Sequence, residues 1–424
     1  MNSLSAAFVV ALATATGINL WLAYRQLRHV GTHRGEVPAD FAPRVTLEQH
    51  QKAADYTSAV TRLEIAALLY QAGLVLAWTL GGALNLLDSG WRDFGFGPIA
   101  RGIGVVLSVI ALNAVLHIPF SIYRTFVIEQ RFGFNHTRPA LFVTDHAKSA
   151  LLTLIIGAPL IALALLVMAP SAHLAIGQTR GGWWLYAWIA WLSFSLLMTW
   201  IYPAFIAPLF NRFSPLEDSD LRQRIAQLLS RAGFSSKGVF VMDGSRRSAH
   251  GNAYFTGLGA SKRIVFFDTL LNKLSADEIE AVLAHELGHF KLRHVHKRIA
   301  ATALISLGGL LLIDWLMEHA WFYHGLGAAE PSNYMALLLF AFAAPPFAFF
   351  LGPLAMWVSR RHEYEADDFA AAQSNAGALI NALIKLYRDN ASTLTPDPLY
   401  SAFHHSHPEA AARVAHLSAR LARA

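Results

Sequence analysis

Cysteine is absent from all 424 residues, which excludes a disulfide framework, a thiolate metal site and a cysteine nucleophile. Any metal must therefore be held by His, Asp and Glu. Charge is scarce as well: Asp, Glu, Lys and Arg make up 15% of the chain, against about 25% in soluble domains. With 54% hydrophobic residues and a mean hydropathy of +0.38, that deficit points to a membrane protein. The formal charge of +6 does not argue for nucleic acid, because polytopic proteins collect Lys and Arg in their cytoplasmic loops. No repeat or low-complexity tract stands out.

Seven stretches approach or exceed the roughly 20 apolar residues that cross a bilayer as a helix. They run from about Leu4 to Tyr24, Ile65 to Leu87, Ile103 to Tyr123, Ala150 to Pro170, Trp183 to Phe205, Ile299 to Leu316 and Tyr334 to Val358. No positive charge precedes the first stretch and Arg25 and Arg28 follow it directly, so it reads as a retained span and not as a signal peptide. The segment after the first span carries Arg25, Arg28, Arg34, Arg44, Lys52 and Arg62, and the one after the third carries Arg124, Arg131, Arg138 and Lys148. The other short loops hold little more than Arg92 and Arg180. By the positive-inside rule the amino terminus is outside or lumenal and the carboxyl terminus is cytoplasmic. The Arg-rich, Ala-rich composition hints at a bacterial inner membrane, with the endoplasmic reticulum as the alternative.

The long polar interruption from Asn211 to Arg298 is the soluble segment. A helical apolar set at Leu221, Ile225, Leu228 and Leu229 lies between Pro215 and Gly233. Strand-like runs follow at Val239 to Met242, Ala253 to Thr256 and Arg263 to Phe267. Ser275 and Glu278 form a capping-box signature, so a helix begins near Ala276 and continues past His289. The expected fold is mainly α: five amino-terminal spans (1–206), a catalytic segment (207–298), spans six and seven (299–358) and a carboxyl-terminal segment (359–424) that completes one cytoplasmic α+β domain.

On that helix stands His285-Glu286-Leu287-Gly288-His289, an HExxH motif. Residues four apart share a helix face, so both imidazoles can reach one zinc ion while Glu286 takes a proton from the attacking water. The alternative is a pair of surface histidines on an amphipathic helix. A catalytic zinc wants a third protein ligand, and Glu363 is a candidate in Ser359-Arg360-Arg361-His362-Glu363-Tyr364-Glu365-Ala366-Asp367, with Asp367 on the same face to orient a liganding histidine. Read alone, that stretch is equally an interfacial charge cluster snorkelling at the end of a span.

These two segments, together with EQRFGFN from Glu129, PLFNRFSPL from Pro208, GSRRSAHGNAYFTG, KRIVFFDTLL and His407-Pro408 followed by Arg413, resemble the CAAX prenyl protease type 1 family in order over nearly the whole chain. The resemblance implies a seven-helix bundle enclosing a chamber, zinc ligands at His285, His289 and Glu363, and Asp367 beside them. It also implies an edge strand at Asn252, Ala253 and Tyr254 for binding substrate, with Arg413 as a further substrate contact. It sets His407 near the zinc, where it would donate to the oxyanion; on the residues alone, a His before Pro reads as a loop position. The implied partners are the bilayer and a polypeptide substrate, in this family a prenylated carboxyl-terminal peptide.

Three rival readings remain. A heat-shock-type quality-control metalloprotease shares HExxH and a related EYxAD segment but has fewer spans. An intramembrane-cleaving protease would not flank its motif with Glu278, Glu280, Lys291 and Arg293. A seven-helix receptor or transporter gives no reason for the zinc constellation. His294 and His296 read as a solvated helix end. Asn113, His117, Asp314 and Glu318, costly in lipid, should face a chamber or make interhelical hydrogen bonds.

Overall fold

In the computed structural model, seven helices among the described residues are long and apolar enough to cross a membrane: Ser3–Thr32, Leu47–Trp78, Pro98–Glu129, Pro139–Val167, Trp183–Phe210, His294–Met317 and Asn333–Gln373. The structure describes residues 2–169, 182–234, 238–256 and 263–422. Pro170 and Arg180, with Gly257 and Lys262 at the ends of two motifs, lie outside the described residues. Local chemistry explains the starts. Asn2 and Ser332 cap the first and seventh helices, Thr46 and Gln49 form a capping box on the second, and Pro98 and Pro139 occupy first-turn positions that need no N–H donor.

The second span departs from the expectation. It starts at Leu47 and stops at Trp78, so Ala83–Arg92 is a separate short helix and not the end of the span. Gly81 and Gly82 cause the break: a Cβ at Gly81 would lie 2.8 Å from the Ala77 Cα, and Gly82 has φ +79°. Asn113 and His117 make interhelical hydrogen bonds, accepting from Trp78 Nε1 at 3.2 Å and meeting Gln71 Oε1 at 2.9 Å.

The spans pack most densely at one end, where Phe8, Leu12, Val75, Trp78, Val105 and Leu339 share a buried cluster. At the other end sits the core of the catalytic domain, with Ile225, Ile264, Phe266, Leu283, Leu287 and Leu417. The most apolar window of each span is only 0% to 33% buried within the protein, as helices that face lipid require.

The sheet has strands β1 (Phe213–Pro215), β2 (Val239–Met242), β3 (Ala253–Thr256) and β4 (Arg263–Phe267), in the order β1-β2-β4-β3. The β2 and β4 strands are parallel; the other two pairings are antiparallel. Three strands coincide with the expected runs; β1 is the addition, too short and Pro-containing to show in periodicity. The strand β3 is at a sheet edge. The Glu129 to Asn135 segment docks beneath the loop that leads into it: Phe134 stacks on His250 at 4.3 Å, and the Glu129 carboxylate accepts from the Tyr56 hydroxyl at 2.7 Å.

Helix Ala276–Lys291 carries the expected capping box and crosses the seventh span closely. That span continues through a 3-10 turn at Phe349–Leu351 into Gly352–Gln373, so the SRRHEYEAD segment is its extension. A Cβ on Gly288 would sit 3.0 Å from the Ala366 Cα and 3.2 Å from its carbonyl oxygen. Gly288→Leu should therefore force the helices apart, lowering the unfolding temperature and reducing zinc affinity at least about tenfold. Gly288→Ala, helped by helix propensity but squeezed by a few tenths of an ångström, should fall between. Thermal unfolding and chelator competition measure both, and unchanged zinc affinity in Gly288→Leu would count against this crossing as the determinant of the site.

Candidate metal centre

His285 and His289 project from one face of their helix toward Glu363 on the seventh span, and His285 and Glu363 are buried. His285 Nε2 and His289 Nε2 lie 3.3 Å apart, His289 Nε2 is 3.3 Å from Glu363 Oε1, and His285 Nε2 is 3.5 Å from Glu363 Oε2. Ligands about 2.0–2.1 Å from a tetrahedral zinc are separated by roughly 3.3–3.4 Å, so the two Nε2 atoms already stand at ligand spacing, and the Glu363 carboxylate faces both, one oxygen toward each. Glu363 Oε2 is also buried without a well-directed hydrogen bond, although His407 Nδ1 lies 2.7 Å away. A buried carboxylate oxygen left in that state suits a cation. The donor set thus fits zinc.

Around it, His285 Nδ1 meets Asp367 Oδ1 at 2.8 Å. Asp367 is fully buried and receives both Nε and Nη2 of Arg413, at 2.8 and 2.5 Å. Burial opposes the charge of Arg413, but the pair with Asp367 outweighs it and holds the guanidinium pKa above its ordinary value. Breaking such a pair on one side typically costs about 3–5 kcal/mol. Burial likewise opposes protonation of His285, yet its hydrogen bonds to Asp367 and Glu363 push the imidazole up to about 9 on protein groups alone.

A cleft of about 310 Å³ opens on this centre, lined by Asn252, Ala253, Glu286, Leu383, His407 and Arg413 among others. Asn252 and Ala253 therefore lie beside Glu286. The Tyr254 side chain turns the other way, as strand alternation requires, into a separate small cavity with Pro203, Pro208 and Phe240. Arg413 is reached from the cleft, but its charge is engaged by Asp367. A second cavity of about 400 Å³, lined by Tyr56, Thr61, Glu64, Arg124 and Tyr400, shares Tyr387, Ser392 and His407 with the first.

His294 corrects an expectation. It is buried and not solvated, with His289 on one ring nitrogen and Glu365 on the other. No sequence periodicity shows this, because the chain turns at Arg293, whose φ is +60°.

An HExxH helix crossed by a membrane span that brings in a third donor is the construction of an integral membrane zinc metalloendopeptidase, and this is the class to which the fold and site assign the protein. Two family models match: "CAAX prenyl protease N-terminal, five membrane helices" over residues 26–212 and "Peptidase family M48" over residues 215–421. The chain is 37% identical to a CAAX prenyl protease 1 homolog of Arabidopsis thaliana, covering 82% of this chain and 80% of the relative. It is 32% identical to CAAX prenyl protease 1 of Saccharomyces cerevisiae, covering 93% and 90%. The crystal structure of S. mikatae Ste24p superposes with a TM-score of 0.89 at 30% identity, covering 98% of this chain and 99% of that one. The chain belongs to the CAAX prenyl protease type 1 family, within peptidase family M48.

A zinc ion bound through His285 would have to displace the proton that the imidazole holds, so pH would set the affinity. The folded pKa of about 9 exceeds the ordinary 6.5. Zinc affinity should accordingly rise by up to about tenfold per pH unit between these values and level off above them. The zinc-free protein should show the reverse: stabilisation from protonated His285 is complete below pH 6.5 and lost as pH rises through about 9. Chelator competition and thermal unfolding in EDTA across this range check both signs; a flat zinc affinity would contradict the assignment.

Proposed function

We propose that this protein is a zinc endopeptidase that removes the carboxyl-terminal tripeptide from CAAX polypeptides bearing a prenylated cysteine, working at the cytoplasmic face of its membrane. The carrying observation is the set of three mutual separations of 3.3 to 3.5 Å among His285 Nε2, His289 Nε2 and the Glu363 carboxylate. The relatives, CAAX prenyl protease 1 and its homologs, point by name to the substrate class. The chamber expected between the spans would be reached from the centre through the cavity beside His407.

In this reading His285, His289 and Glu363 hold the zinc, and Asp367, itself held by Arg413, fixes the Nδ1–H tautomer of His285. Bound zinc supplies the Lewis acidity that activates water and the scissile carbonyl near neutral pH. Glu286 takes the proton of the attacking water and returns it to the leaving amine. The exposed edge of β3 at Asn252 and Ala253 pairs with the extended substrate backbone, and Tyr254 supports that strand from its other face. His407 donates to the developing oxyanion. Residues 207–298 and 359–424 act as one catalytic unit, and the basic loops after spans one and three set it in the cytoplasm.

Glu286→Gln should keep zinc and lose nearly all hydrolysis, while Glu363→Ala should lose zinc. His407→Ala should bind zinc normally and lower kcat by about 10²- to 10³-fold with little change in KM. Farnesylated and unmodified CAAX peptides, compared on the wild type, test the substrate. Cleavage regardless of the lipid would reject the prenyl requirement, and wild-type turnover by Glu286→Gln would reject the mechanism. For orientation, a reporter active only in the cytoplasm should work when fused after Ala424. Periplasmic or lumenal activity of a fusion there would overturn the orientation.

A further inference from the structure

Outside the three donors stands a second cluster, His294, His362 and Glu365, whose ligand-type atoms lie within 4.8 Å of one another. His294 Nδ1 is 3.0 Å from His289 Nδ1, and His294 Nε2 is 3.0 Å from Glu365 Oε2. The other oxygen of Glu365 accepts from Arg361 Nε at 3.1 Å. This row of groups ends on a nitrogen of His289 that the metal face does not use.

The protons along the row follow from one requirement. His289 presents Nε2 to His285 and Glu363, and a neutral imidazole that donates its Nε2 lone pair to a metal carries its proton on Nδ1. That N–H faces His294 Nδ1, which must then be the acceptor. The His294 proton is left on Nε2, where it donates to Glu365. We propose that His294 is a positioning residue: it accepts the Nδ1 proton of His289 and, held in its own tautomer by Glu365, fixes the tautomer and ring orientation of that ligand. The proposal rests on the reading of His289 as a zinc ligand. Asp367 meets His285 Nδ1 directly, so each histidine of the HExxH motif has a partner on the nitrogen turned away from the metal.

The backbone makes the contact. Residues five apart on an uninterrupted helix differ by roughly 140° around the axis, and His294 could not reach His289. The left-handed conformation of Arg293, φ +60°, lies between them; it is unfavourable for a residue with a Cβ. The turn ends one helix and starts the next, which folds His294 back under the motif.

A second metal on this cluster is the competing occupant. It would take the lone pair of His294 Nε2, place the proton on Nδ1 and set two N–H groups against each other across 3.0 Å. The His294 and His362 rings are stacked, 4.1 Å apart and 13° from parallel, so their in-plane lone pairs do not converge on one point. Both observations favour the positioning role.

The test measures zinc affinity by chelator competition on the full-length protein in detergent, together with the visible absorption of the Co²⁺-substituted form. His294→Ala should lower affinity by about 10- to 100-fold and shift the Co²⁺ bands. His294→Asn, whose Oδ1 stands where Nδ1 was, should recover most of the affinity. His294→Gln, whose amide stands where Nε2 was, should not. His362→Ala should leave affinity and spectrum unchanged. Because Asn and Gln both fill the site, their difference survives any loss of folding in the Ala variant. Equal affinities in the Asn and Gln variants would overturn the proposal. So would a second equivalent of zinc that is lost in both His294→Ala and His362→Ala while the first is retained. Full zinc content in His289→Ala would instead refute the liganding reading on which the proposal stands.

Discussion

The close crossing of the HExxH helix and the seventh span at Gly288 and Ala366 is the constraint on which the site depends. Two candidate ligands four residues apart fix a line along one helix, and a tetrahedral ion would need a third donor from elsewhere. Packed helices usually lie 8–10 Å apart. The missing side chain at Gly288, only 3.0 Å from where a Cβ would meet the Ala366 Cα, lets the two backbones touch. One contact then sets two relations: Glu363, three residues before Ala366, reaches the Nε2 side of the histidines, and Asp367, one residue after it, reaches Nδ1 of His285.

Such a centre concentrates buried charge. Glu363, Asp367 and Arg413 are all buried, which is tolerable because each carboxylate faces a cation or imidazole donor and Arg413 binds Asp367 through two nitrogens. The last helix, Ala410–Leu421, delivers Arg413 into this network while Leu417 joins the domain core. Packing of the last turns of the chain and protonation of His285 are therefore coupled through Asp367.

The same span that carries Glu363 belongs to the membrane bundle, so catalytic and membrane parts are continuous. The bundle closes at its far end through Trp78, Phe322, Tyr334 and their neighbours and at its near end through the catalytic domain.

How much of this was legible in the sequence follows the range of the forces involved. The strands Val239–Met242, Ala253–Thr256 and Arg263–Phe267, the capping box at Ser275 and the seven apolar segments all declare themselves within a few residues, because propensity, capping and hydropathy are local. The early stop of the second span at Trp78 turns on the close turn at Gly81 and Gly82, where a Cβ on Gly81 would meet Ala77 and Gly82 has a positive φ, which a hydropathy reading passes over. At the site, the sequence by itself determined which groups share a face: His285 with His289, and Glu363 with Asp367. Only the tertiary structure decided that the two faces meet, that Arg413 is spent on Asp367, that Tyr254 turns away from the cleft and that His294 lies buried against His289. The physical reason is that helical periodicity specifies directions within one element. Distances between elements depend on close contacts such as Gly288 against Ala366 and on the left-handed turn at Arg293, and neither leaves a periodic trace in the chain.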